Sequence, residues 1–372
     1  MFDATDHRHM ARALGLARRG LYSTAPNPRV GCVLARGERV VGEGWHRRAG
    51  EAHAELAALH QAGAAAAGAT AYVTLEPCSH HGRTPPCSDA LLRGGVARVI
   101  AAMADSNPLV AGQGMARLRQ AGVQVDSGLL ASEARALNPG FVSRMERGRP
   151  FVRCKLAMSL DGRTAMASGE SRWISGEASR RDVHRLRARS DAIITGIGTV
   201  LADDPAMTVR LQRDDLSGLD DDLPFPTPTR VVLDSTLRMP PEVALLRQPG
   251  RTLVFTGVQD VAATRFAGAA AVEVERVTAS TVGLDLGAVL TCLAEREMNE
   301  VLVEAGPTVA GAFLGHGLVD ELVIYMAPHV MGSDARGLFG GLGIERMAGR
   351  VPLTIVDMRA VGGDWRITAV PE

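Results

Sequence analysis

His53, Cys78 and Cys87 are the residues that most restrict how this chain can fold. An imidazole and two thiolates are donors that zinc prefers. Three protein donors leave a fourth position for water, as a catalytic zinc requires. If the three hold one ion, segments as much as 34 positions apart must meet at one point. Residues 53–61 have helical character, so His53 opens a helix and Glu55 lies in its first turn. Residues 71–75, Ala-Tyr-Val-Thr-Leu, are a short apolar run stopped before Pro77, the pattern of a buried strand. Cys78 therefore follows a strand, and Cys87 precedes a short helical stretch at 89–93.

The same alternation continues on both sides. Helix is expected at 7–19 and 115–121, a short hairpin at 30–34 and 39–41, and strands at 97–102 and 123–125. Strands separated by helices favour an α/β layer fold. The polar run 144–150, Arg-Met-Glu-Arg-Gly-Arg-Pro, suggests a division into domains 1–147 and 148–372. A second α/β pattern follows. Its expected strands are 151–157, 192–195, 230–233, 252–255, 301–304 and 321–326, and its helices 179–189 and 286–297. Residues 211–229, rich in Asp and Pro, read as a surface loop.

Composition narrows the class. The 372 residues are 46% apolar and 22% charged, an ordinary globular balance that excludes a collagen-like, disulfide-dense or largely disordered chain. The 41 basic and 41 acidic residues cancel, so no whole-chain field draws in nucleic acid or an anionic membrane. No run offers the ~18 apolar residues of a membrane span. The first residues, Met-Phe-Asp-Ala-Thr-Asp, do not form a secretory signal. With five cysteines and no such signal, reduced thiols in the cytoplasm are expected.

The metal residues carry a second signal. His-x-Glu followed by Pro-Cys and a further Cys is the outline of the zinc deaminases, in which the Glu is a proton shuttle and not a ligand. Zinc lowers the pKa of its water to about 7. Glu55 can take that proton and hand it to a leaving amine. Here the second Cys lies nine residues after the first, and the insert contains His80 and His81, which compete as ligands on chemistry alone. A closed structural zinc is the alternative reading. Cys32, Cys154 and Cys292 read as small core residues.

The insert, Pro77-Cys-Ser-His-His-Gly-Arg-Thr-Pro-Pro-Cys87, resembles the bifunctional riboflavin-biosynthesis deaminase/reductase family. So do Pro26-Asn-Pro-Arg-Val-Gly-Cys32, Lys155-Leu-Ala-Met-Ser-Leu-Asp-Gly-Arg163 and Ala202-Asp-Asp-Pro205, in the family's order. The resemblance implies a cytidine-deaminase-like α/β/α domain followed by a dihydrofolate-reductase-like α/β domain. It implies a Zn2+ ion on His53, Cys78 and Cys87, with Glu55 as the catalytic proton shuttle. That domain would remove the 2-amino group of a diaminopyrimidinone ribosyl phosphate, with Asn27 contacting the pyrimidine. His46, His80 and Arg83 could hold substrate oxygens or the phosphate.

The second domain, by the same resemblance, uses NADPH to reduce the ribosyl group to ribityl. Cofactor contacts would fall on Ala157, Trp173, Thr199, Asp203, Ser235, Gly306, Pro307, Thr308, Val309 and Ala310. Substrate contacts would fall on Ser171, Arg187, Met207, Arg210 and Glu304. Residue chemistry is consistent with this. Gly196-Ile-Gly198 after a strand, and Gly306-Pro307 at a strand-to-helix turn, let backbone amides approach a phosphate. The full dinucleotide-binding G-x-G-x-x-G is absent. Arg187 and Arg210 have the guanidinium fork that suits phosphate. Asp203 is expected to orient the nicotinamide or relay a proton, with Asp204 its competitor. Ile197 and Ser106 depart from the family's pattern.

The expected partners are small phosphorylated pyrimidines and, by resemblance, a second copy in a homodimer formed through the reductase domains. A nucleic-acid editor would need stacking aromatics in a basic groove, and only 4% of residues are aromatic. A free nucleoside deaminase would leave the second half unexplained, and a non-catalytic zinc protein would have no use for Glu55.

Overall fold

The computed structural model describes residues 2–79, 86–108, 110–260, 266, 271–280 and 283–372. The chain forms two compact units. One comprises Met1–Gly148 with Gln212–Phe225, the other Arg149–Leu211 with Pro226–Glu372. The acidic, Pro-rich segment is therefore not a free loop of the second half. Residues 212–225 return to the first unit, where Asp220 and Asp222 pair with Arg19 and Arg47. Leu216, Leu219 and Leu223 on that segment are buried.

The first unit runs α1 (Ala4–Ala17), β1 (Gly31–Arg36), β2 (Arg39–Trp45), α2 (Ala54–Ala62), β3 (Thr70–Val73), α3 (Cys87–Arg93), β4 (Arg98–Ala101), α4 (Gln113–Gln120), β5 (Gln124–Ser127), α5 (Ala131–Leu137) and α6 (Pro139–Arg147). Its sheet has the order β2-β1-β3-β4-β5. β1 is antiparallel to β2 and β3, and β3, β4 and β5 are parallel. Alternating side chains of a strand face opposite ways. Cys32 and Leu34 accordingly pack with Ala54, Ala58, Val73 and Leu91 on one face. Val33 and Ala35 pack with Met10, Ala13, Leu14 and Tyr72 on the other. The result is the expected α/β/α sandwich. A Cβ on Gly42 would stand 2.3 Å from the Ala58 carbonyl, so glycine is what lets α2 lie directly on β2.

The second unit runs β6 (Phe151–Ser159), β7 (Arg163–Ala165), α7 (Glu177–Ala188), β8 (Ala192–Gly196), α8 (Ile197–Asp203), β9 (Thr229–Leu233), β10 (Thr252–Thr256), β11 (Val272–Arg276), β12 (Ala279–Ser280), β13 (Gly283–Leu284), α9 (Leu286–Glu295), β14 (Glu300–Val303), α10 (Pro307–Gly315), β15 (Glu321–Ala327), β16 (Arg336–Gly337), β17 (Leu353–Val361) and β18 (Asp364–Pro371). The main sheet has the order β11-β10-β9-β8-β14-β6-β15-β18-β17. It is parallel from β11 to β15, and β18 and β17 are antiparallel. β14 inserts between β8 and β6, so the strand order reverses there. Open parallel sheets bind ligands in the crevice at such a switch point.

Several elements differ from expectation. The polar run 144–150 is mostly the end of α6, closed by Gly148 at φ +66. Its Arg and Glu residues are good helix formers, and Pro139 suits the first helical position. Glu304 lies just beyond β14, though its N–H still donates to the Ile194 carbonyl at 2.9 Å. The strand expected at 123–125 occupies Gln124–Ser127. Cys32 and Cys154 are fully buried core residues, whereas Cys292 is half-buried, with Glu275 Oε1 at 3.5 Å from its thiol.

Candidate active sites

His53 is the N-cap residue of α2, in extended conformation, and Glu55 sits in the first turn. Cys78 follows β3, and Cys87 is the first residue of α3. Three separate chain segments thus present their donors at helix starts and a strand end. His53 Nδ1 is 3.2 Å from Cys87 Sγ and 3.6 Å from Cys78 Sγ. All three donor atoms lie within 4.8 Å of one another, the one such His/Cys/Asp/Glu cluster among the described residues. An N and two S atoms this close, with no fourth ligand among the described residues, fit a zinc with one open position. His80, His81 and Arg83 lie outside the described residues.

The electrostatics agree. The Cys87 N–H donates to Cys78 Sγ at 3.3 Å. Hydrogen bonding from Cys87, and after it that from His53, holds the Cys78 thiol down, while the neighbouring Cys78 raises Cys87. Glu55 is 3% exposed, and burial pushes its carboxyl up to about 7. Its charge is felt by His53 and Cys87 alike.

Asn27 and His46 form a unit that the sequence only partly exposed. His46 Nδ1 donates to the Ala52 carbonyl at 3.1 Å, which leaves Nε2 to accept from Asn27 Nδ2 at 3.0 Å. The His46 ring also meets the His53 ring edge-on, with centroids 5.2 Å apart. His46 is buried.

In the second unit, α8 starts at the end of β8 and α10 starts beyond β14, its neighbour in the sheet. The Gly306 N–H donates to Thr199 Oγ1 at 3.3 Å and so ties the two turns together. Pro307 has no N–H. The N–H groups of Thr308 and Val309 are left as the free donors of a helix start. The Ala310 N–H is taken by the Gly306 carbonyl at 3.1 Å and its side chain is fully buried, so Ala310 brings neither group to a ligand. Ser235 lies just beyond β9, its carbonyl accepting from the Gly257 N–H at 3.0 Å. Ala157 lies within β6, opposite Tyr325.

Trp173 is 67% exposed, with the Arg180 guanidinium 4.6 Å from its ring centre. The preceding Arg172 donates to the Asp203 carbonyl and stands 3.8 Å from its carboxylate. Asp204 instead accepts from Ala244 N at 2.6 Å and pairs with Arg247. Of the two acids, Asp203 is the one beside the Trp173 loop, which also holds Ser171. Met207 is buried at φ +50. The Arg210 N–H donates to His184 Nδ1 at 3.1 Å.

Arg187 requires a correction. Its Nε and Nη2 donate to the two oxygens of Glu304 at 2.6 and 2.9 Å, and its Nη1 donates to the Thr208 carbonyl at 2.9 Å. All three nitrogens are engaged, so it is not an open fork for phosphate. The sequence reading also did not single out Lys155, whose charge couples to Glu304. Burial lowers its pKa, and the charge of Glu304 offsets part of that effect. A lysine inside a strand that is otherwise largely buried was the available signal.

Comparison with known proteins decides the family. Residues 150–367 match the family model described as RibD C-terminal domain. Residues 3–103 match the cytidine and deoxycytidylate deaminase zinc-binding region. The chain is 51% identical over 361 residues to the riboflavin biosynthesis protein RibD of Escherichia coli K12, covering 96% of this chain and 97% of that one. The chain belongs to the RibD family. Its likeness to the Haemophilus influenzae RibD is 44% over 100% of this chain and 99% of that protein. Among solved structures, an Acinetobacter baumannii RibD superposes with a TM-score of 0.89 at 42% identity, covering 99% of each chain. A Thermotoga maritima protein described as a diaminohydroxyphosphoribosylaminopyrimidine deaminase/5-amino-6-(5-phosphoribosylamino)uracil reductase has a TM-score of 0.84 at 31% identity, again covering 99% of each. RibD membership accounts for both halves, with a cytidine-deaminase-like first domain and a reductase second domain.

Proposed function

We propose that this RibD chain catalyses two consecutive steps of riboflavin biosynthesis. It hydrolytically deaminates 2,5-diamino-6-(5-phosphoribosylamino)pyrimidin-4-one, then reduces the ribosyl group of the resulting aminouracil to ribityl with NADPH. One observation carries the first step: a carboxylate, Glu55, buried to 3% exposure against a three-donor His/Cys/Cys set. We assign the first step to residues 1–147, completed by 212–225, and the second to the rest of 148–372.

Zinc held by His53, Cys78 and Cys87 supplies a Lewis acid that acidifies its water at neutral pH. Glu55 takes the proton at its carboxylate and returns it to the departing amine. Burial keeps that carboxyl near neutrality, where it can both accept and release a proton. Asn27, its Nδ2 held by His46, keeps Oδ1 free to accept from the pyrimidine.

In the second step NADPH supplies the hydride for the first carbon of the sugar. The turn at Gly196 to Thr199, and the Thr308 and Val309 N–H groups of the turn at Gly306 to Val309, would hold cofactor phosphates. Ala157, Trp173, Asp203 and Ser235 line the cofactor, and Ser171, Met207 and Arg210 hold the substrate. Glu304, held as a carboxylate by Arg187 and charge-coupled to Lys155, faces the substrate as a fixed negative charge.

No described helix is long and apolar enough to cross a membrane. We place the enzyme in the cytoplasm, acting on free phosphorylated pyrimidines without nucleic acid. A homodimer through the second unit is supported by β17. It is an edge strand of that sheet, with Ile355, Val356 and Met358 exposed beside Trp365. Apolar edges of this kind are ordinarily covered.

The test is a coupled assay on zinc-loaded protein given the diaminopyrimidinone ribosyl phosphate, with ammonia release and NADPH oxidation followed separately. Both signals are expected. Absence of both with zinc bound overturns the reading.

A further inference from the structure

Glu76 stands two residues before the zinc ligand Cys78 and is 4% exposed. It is not one of the clustered donors, which are His53, Cys78 and Cys87, and the proton chemistry assigned above does not use it. Its partners are backbone N–H groups. Glu76 Oε2 accepts from Asp105 N at 3.1 Å and Gly112 N at 2.8 Å, and Oε1 accepts from Met115 N at 3.1 Å. Its own N–H donates to the Met103 carbonyl at 3.0 Å.

These bonds answer a local deficiency. α4 begins with Gly112 at its N-cap, in the left-handed region at φ +80, with no side chain to satisfy the first turn. A helix start leaves several N–H groups without partners. Glu76 reaches across from the end of β3 and supplies the missing cap from another segment. The contact is close enough that a Cβ on Gly114 would fall 1.8 Å from the Pro77 carbonyl, between Glu76 and Cys78. The turn 76–78 is thus bound on its outer side to residues 103–115. On its inner side it presents Cys78 Sγ to His53 and Cys87.

We infer that Glu76 is a positioning residue for the deaminase, one that holds the Cys78 turn in register with the His53 and Cys87 helix starts by capping α4 from outside. It touches neither metal nor reacting atoms. It acts by fixing the backbone that carries a ligand, the kind of outer support whose loss costs roughly 10–100-fold in metal affinity. The inference rests on the zinc reading above.

The experiment compares zinc-loaded wild type with Glu76→Gln, Glu76→Asp and a control, Asp3→Ala. Asp3 caps α1 through the Asp6 N–H at 2.8 Å, so the control loses a helix cap remote in sequence from the metal. Zinc transfer to a chromogenic chelator is timed at a temperature where every variant is folded by circular dichroism. Expected is a roughly 10-fold faster release for Glu76→Gln, an intermediate rate for Glu76→Asp, and the wild-type rate for Asp3→Ala. NADPH oxidation with the deaminated intermediate should be unchanged throughout. A lower Tm with wild-type release would reduce Glu76 to a stabilising cap and overturn the inference.

A variant-free arm covers the case in which Glu76→Gln does not fold. Stripping zinc from wild type should speed hydrogen exchange at the Gly112 and Met115 amides, and unchanged protection overturns the inference. Failure of the deaminase reading shows up separately, as wild type that binds zinc but releases no ammonia.

Discussion

Arg187 and Glu304 close a bidentate pair across α7 and the end of β14, with N–O distances of 2.6 and 2.9 Å and side chains only 14% and 13% exposed. Removing one partner of such a pair leaves a buried charge, at a cost of about 3–5 kcal/mol. Arg187→Met should therefore lower Tm and reduce reductase kcat/KM by roughly 10²-fold through displacement of Glu304. Arg187→Lys should not rescue it, because an ammonium cannot span both oxygens. Ammonia release, measured on the same samples, should stay at the wild-type rate. A reductase rate unaffected by Arg187→Met would remove the pair from the site.

Glu55→Gln keeps the shape of the side chain and deletes the proton carrier. Ammonia release should fall by roughly 10²–10⁴-fold, while zinc content by atomic absorption stays at the wild-type level. Reduction of the supplied deaminated intermediate should be unaffected. Retained ammonia release would mean that another group moves the proton.

Trp173 is mostly exposed and stacked on Arg180, so it contributes little to the fold. Trp173→Ala should move Tm by no more than a surface change does, within about 0.5 kcal/mol of stability. The KM for NADPH should rise several-fold. A KM left at the wild-type value would place the indole away from the cofactor.

His184 sets a pH limit on the second unit. Burial first, then the charges of Arg187 and Arg210, hold its imidazole down to about 4. An unfolded histidine titrates near 6.5. Between those values the unfolded chain binds a proton that the folded chain refuses, so stability falls as pH falls from about 6.5 to about 4. Above 6.5 the contribution is fully present. His184→Gln, which has no proton to gain, should show a shallower loss of Tm over that interval than wild type. Parallel Tm profiles in differential scanning fluorimetry would rule the histidine out.

Much of this arrangement could be read from residue order. The metal donors were legible because His53, Cys78 and Cys87 are rare residue types, and each sits at a recognisable helix start or strand end. The central strands of both sheets were legible because their alternating or continuous apolar runs match burial on two faces. Three things were not. α8 follows Gly196 and carries Gly198 in its first turn, which weakens any helical signal, and tertiary packing overrides it: a Cβ on Gly196 would meet Val309 at 2.8 Å. Arg187 looked like a phosphate fork because nothing in a sequence says that Glu304, 117 residues away, occupies it. Glu76 was passed over because its partners are backbone N–H groups, which every residue but proline carries.

The return of residues 212–225 to the first unit bears on how the two activities could be parted. The chain crosses from one unit to the other three times, not once. A gene split at the obvious junction, after Gly148, would strand the lining that Leu216, Leu219 and Leu223 supply, and would leave Arg19 and Arg47 without Asp220 and Asp222. Two enzymes joined end to end can be uncoupled by one stop codon. Here the deaminase half borrows fourteen residues from inside the reductase half, so its inheritance as a separate gene would first require a new surface.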